Sequence, residues 1–80
     1  MLRKSGPIPL TDLKVGGTGV VERLEGEVPF QKRLADLGLV PGTTVLFVRR
    51  APFGDPIEIE LRGYLLALRG KDARKILLRV

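Results

Sequence analysis

Cysteine and histidine are both missing from this 80-residue chain. Without thiols no disulfide can brace the fold, so hydrophobic packing has to hold it. Extracellular domains of this length usually rely on such bridges, which favours a cytoplasmic setting. A metal ion would have to be bound through oxygen alone, a donor set better suited to hard cations than to ferrous iron or zinc. Ser5 is the one serine, and no imidazole exists to activate it. Neither an enzyme nor a cofactor is expected. Tryptophan is also absent, and one tyrosine and three phenylalanines offer little for stacking on exposed bases. No stretch approaches the ~20 apolar residues of a membrane span, so direct membrane insertion is not expected. The opening Met1 to Pro7 has no apolar core, and no signal peptide is expected.

What is present is basic. Fourteen lysines and arginines face nine acids, a net charge of +5. That balance favours an acidic partner, a nucleic acid or an anionic membrane face without choosing among them. Hydrophobic residues make up 44% of the chain, enough for one small core.

The punctuation of the sequence predicts a mainly β domain over residues 8–80, preceded by a loose arm over 1–7. Leu10-Thr11-Asp12-Leu13 has room for no more than a helical turn. Gly19 to Leu24 reads as a strand rich in β-branched residues. Pro29 to Leu37 reads as the one helix, with Phe30, Leu34 and Leu37 on one stripe. Gly38 suits the left-handed residue that closes a helix, and Pro41 prevents a restart. Thr43 to Arg50 is apolar on both faces, as in a covered strand. Ile57, Ile59 and Leu61 alternate with charged residues, the pattern of a strand with one wet face. Gly63 marks a hairpin into Tyr64–Leu68, residues 70–74 make a helical turn or loop, and Ile76 to Val80 forms a last strand. About five short strands and one short α-helix fit a small SH3-like barrel, whose closure removes exposed edges.

Three blocks now carry a family resemblance. The run Arg33-Leu34-Ala35-Asp36-Leu37-Gly38-Leu39-Val40-Pro41-Gly42-Thr43 resembles the signature of the FeoA family, ferrous iron transport protein A. Arg50-Ala51-Pro52-Phe53-Gly54-Asp55-Pro56-Ile57 is similar to a second family stretch, and Arg62-Gly63-Tyr64 with Leu66-Ala67-Leu68-Arg69 to a third. The resemblance implies an SH3-like barrel and an accessory role in bacterial or archaeal ferrous iron uptake. The implied partner is the cytosolic, GTP-binding part of a membrane ferrous iron permease. It also implies transition-metal binding at the level of the family, a property that the donor set disfavours here. The same domain ends certain metal-responsive repressors, so a metal-sensing module is a further reading.

Several residues invite a chemical role. Glu58 and Glu60 share a strand face roughly 7 Å apart, with Asp55 nearby in sequence, yet outward carboxylates on a strand are ordinarily solvated, and no metal site is assigned. Gly16-Gly17-Thr18-Gly19 resembles a phosphate loop, but a strand rather than a helix follows it, so it reads as a turn. Arg49, Arg50, Arg69, Lys71, Arg74, Lys75 and Arg79 could meet nucleic acid, a disfavoured reading because acids interleave with them. Docking is left. Leu37, Leu39, Pro52 and Phe53 are candidate apolar anchors, with Arg49 and Arg50 as steering charges. For Leu37 and Leu39 the competing role is core packing, and for Phe53 a plug at one barrel end. Weak self-association stays open.

Overall fold

The computed structural model describes residues 6–80. The remainder of the predicted arm, with Ser5, lies outside the described residues. In chain order the elements are β1 (Ile8–Pro9), a 3-10 turn (Leu10–Asp12), β2 (Thr18–Leu24), α1 (Val28–Asp36), β3 (Thr44–Arg50), β4 (Ile57–Leu61), β5 (Tyr64–Leu68), α2 (Gly70–Ala73) and β6 (Ile76–Arg79). All strands join one antiparallel sheet in the order β1-β6-β2-β3-β4-β5.

The sheet coils because β2 serves two partners. Thr18 to Val20 pair with β3, whereas Val20 to Leu24 pair with β6 across a bulge between Val21 and Arg23. A second bulge falls between Phe47 and Arg49 on β3. Each bulge bends its strand and raises the local twist, which rolls six short strands into an SH3-like barrel. The sixth strand, β1, is only two residues long and leaves no alternation for sequence reading to find. β1 and β5 are the edges of the ladder.

The core follows the predicted pattern on β4. Ile57, Ile59 and Leu61 are buried, and Phe47 and Val45 meet them from β3. The hairpin between β4 and β5 has a two-residue loop, Arg62-Gly63, both at positive φ (50° and 87°). That is the signature of the turn whose twist matches the strands it joins.

Helix α1 starts one residue earlier than the stripe predicts, with Pro29 in its first turn, where a backbone N–H has no helical partner in any case. No side chain caps its N-terminus; Gln31 Nε2 donates to the carbonyl of Gly26 at 2.7 Å, which ties the preceding turn to the helix but leaves the first N–H groups uncapped by side chains. The C-terminus is a Schellman closure. Leu39 N–H donates to Leu34 O at 3.0 Å and Gly38 N–H to Ala35 O at 2.9 Å, with Gly38 at φ +101°. A β-carbon built at Gly38 would stand 3.0 Å from Tyr64 Oη and 3.2 Å from a Leu61 methyl. Gly38→Ala is therefore expected to lower stability by about 1–3 kcal/mol, through backbone strain and crowding. Thermal melts followed by circular dichroism check this.

Candidate docking site and anion cleft

The Schellman geometry decides the fate of two candidate anchors. Such a closure brings the residue after the glycine back against the helix, commonly as an apolar contact. Leu39 occupies that position and is fully buried with Leu34 in the core. Its place among the partner-binding candidates is thereby corrected: it packs the interior. Leu37, the helix C-cap, is 37% exposed, and its carbonyl accepts the Tyr64 hydroxyl. Tyr64 begins β5 beside Leu61, whereas the Ala51–Pro56 loop precedes Ile57 at the other end of β4. Four residue steps of strand, ~13–14 Å, separate those ends. Leu37 therefore does not share a patch with Phe53.

The loop between β3 and β4 gathers the remaining candidates. Ala51 N–H donates to Pro56 O at 3.0 Å and Gly54 N–H to Ala51 O at 2.7 Å, closing a tight bend. Pro52 and Phe53 sit at its tip, and Phe53 is 100% exposed. The expected alternative for this ring, a plug at a barrel end, is not its role. Phe47 fills the core instead, fully buried on β3. Asp55 ties the loop to α2, its Oδ1 accepting the Gly70 N–H at 2.6 Å.

The two arginines at the end of β3 part company. Arg49 is engaged by Glu58 across the ladder, with Nε 2.8 Å from Oε1. Arg50 makes no ion pair among the described residues, and its guanidinium lies over the Phe47 ring, 4.9 Å from the centroid. Between loop and α2 opens a cleft of ≈ 560 Å³ whose lining includes Arg50, Arg69, Lys71 and Arg74, together with Thr11 and Phe53. All four belong to the larger basic set that could have met nucleic acid. Their convergence depends on sheet order, which no local pattern encodes.

The carboxylates do not make a transition-metal site. Glu58 is held by Arg49 and Asp55 by an amide, and among the described residues no three acidic side chains converge. Those residues do not fit the metal binding that the family resemblance implies. The glycine run before β2 is likewise committed to backbone pairing: Gly16 N–H donates to Phe47 O at 2.7 Å and Gly17 N–H to Lys14 O at 2.8 Å. Among the described residues, no helix is long and apolar enough to cross a membrane.

Fold and loop together define a small SH3-like domain whose exposed features are an aromatic tip and a cationic cleft. The FeoA domain model matches residues 8–80, and the chain belongs to the FeoA family. It is 39% identical over 67 residues to the Fe(2+) transport protein A/Fe(2+) transporter FeoB fusion protein of Porphyromonas gingivalis. That match takes in 84% of this chain but 8% of the fusion protein. An NMR structure of a FeoA-like protein from Clostridium acetobutylicum superposes with a TM-score of 0.86 at 34% identity, covering 96% of this chain and 90% of that one. The crystal structure of Stenotrophomonas maltophilia FeoA complexed with zinc gives 0.78 at 26% identity, with 90% and 89% covered.

Proposed function

We propose that this chain is a non-enzymatic accessory of ferrous iron uptake that docks, in the cytoplasm, on the GTP-binding part of a membrane iron permease. The observation that carries the proposal is Phe53, wholly exposed at the tip of a hydrogen-bonded, proline-framed loop. A large apolar ring in water is unfavourable by itself, and a rigid loop presents it to a partner with little ordering entropy left to lose. Aromatic anchors of this kind dominate the energy of many interfaces. The fusion relative, which by its name joins Fe(2+) transport protein A and the Fe(2+) transporter FeoB in one polypeptide, supports the choice of partner. Cations beside the tip would speed approach to an acidic surface.

The test is binding of the purified chain to the cytosolic GTP-binding domain of the permease, measured by calorimetry. Phe53→Ala is expected to raise Kd at least about tenfold, the size of a typical anchor residue. Its circular dichroism melt should match the parent, because the ring contributes nothing to the core. No binding by the parent chain would overturn the docking reading. An unchanged Kd in the variant would remove Phe53 from the interface.

A further inference from the structure

We propose that the cleft between the Ala51–Pro56 loop and α2 binds an oligophosphate, either free or as the phosphate chain of a nucleotide. This is a separate property from permease docking and does not rest on it.

The charge of the cleft is unusual for this surface. Arg50, Arg69, Lys71 and Arg74 reach it from the end of β3, the residue before α2, and α2 with its C-cap. None of the four forms an ion pair among the described residues, a state they share with Lys14, Lys32, Arg33, Arg62 and Lys75; what sets them apart is that all four line one cleft. The carboxylate within the cleft, Asp55, already accepts the Gly70 amide. Four cations against one committed carboxylate account for much of the net charge of +5 carried by the chain. Such crowding of like charge raises a local positive potential that a multivalent anion relieves.

The shape selects the kind of anion. A concavity of ≈ 560 Å³ falls in the range, roughly 300–1,000 Å³, of sites that enclose small molecules. Peptide carboxylates bring one charge per residue, spaced by up to ~3.3–3.6 Å of backbone, and would bring few charges into that space. A phosphate chain concentrates its charge within a few bonds and offers the oxygens that guanidinium forks bind in pairs. A nucleic acid strand needs a track of cations leading away from the cleft. The adjacent wet face of β4 supplies no such track: it carries Glu60 and Glu58, the latter paired with Arg49. Arg50 lies over the Phe47 ring, and Thr11 in the lining carries a hydroxyl, a group suited to a phosphate oxygen. Phe53 at the rim would stack on a base, so a nucleoside triphosphate gains a contact that the inorganic chain lacks.

The experiment is an amide-resolved NMR titration of the whole chain with inorganic triphosphate at about 50 mM salt, repeated with GTP and ATP. Expected is saturable one-to-one binding, with the largest shifts at Thr11, Gly54 and Gly70. The double variant Arg69→Gln/Arg74→Gln should weaken it at least about tenfold, in line with two lost charge-assisted contacts. Lys14→Gln/Lys32→Gln removes the same net charge elsewhere and should change it by no more than about twofold, as expected of screened, distant charges. Nucleotides should bind more tightly than triphosphate, and Phe53→Ala should abolish that difference alone. Absence of saturation, or equal weakening by both double variants, overturns the site. So does an oligonucleotide whose affinity grows with length while triphosphate fails to bind. The map of shifts in the parent chain decides the matter even if a variant misfolds.

Discussion

Replacing Phe47 with alanine is expected to lower the stability of the domain by about 3–5 kcal/mol, a large share of the total. The ring is the largest fully buried side chain, on the middle of β3, paired with Ile59 across the ladder. Removing a buried phenylalanine typically costs about 3–5 kcal/mol, from lost transfer energy and the cavity left behind. An 80-residue domain holds a net stability of roughly 4–12 kcal/mol, and one without disulfides has no second source to draw on. Arg50 also loses the ring it lies over. Urea unfolding followed by far-UV circular dichroism measures the effect. A variant within about 0.5 kcal/mol of the parent would lie outside the usual range for buried aromatics and would contradict the assignment of Phe47 to the core.

Leu39→Ala and Leu37→Ala should behave very differently although two positions separate them. Leu39 is fully buried where the Schellman closure turns the chain back onto Leu34, and its truncation is expected to cost about 2–5 kcal/mol. Leu37 is over one-third exposed, and its structural contact runs through the backbone carbonyl held by Tyr64, which alanine preserves. Its truncation should cost less than about 1 kcal/mol. Equal losses at the two positions, measured in the same urea titrations, would mean that the helix end is not closed in this way.

The contrast shows what could be read from the residues. β4 announced itself through strict alternation, and Ile57, Ile59 and Leu61 are the buried set. The helix was legible through its stripe and its closing glycine, with boundaries displaced by one residue. Leu39 could have been placed too, since an apolar residue directly after a Schellman glycine is a recurrent contact of that motif. Phe53 could not. Periodicity says nothing about direction inside a loop, and a small core can take its aromatic from either β3 or the loop. Packing chose Phe47, which left Phe53 outside. The cationic cleft was hidden for a different reason. Arg50 and Arg74 stand far apart along the chain and meet because the loop, the 3-10 turn and α2 crowd one end of the sheet.

The contact between Tyr64 and the end of α1 has a practical consequence. The chain has no tryptophan and a single tyrosine, and its three phenylalanines emit only weakly, so its intrinsic fluorescence is dominated by that phenol. Because the hydroxyl donates to the Leu37 carbonyl, the fluorophore is wired to the junction of helix and sheet. The protein thus carries an intrinsic optical gauge of that junction, readable without a label. A ligand seated in the cleft at the opposite end of β4 should leave its signal undisturbed.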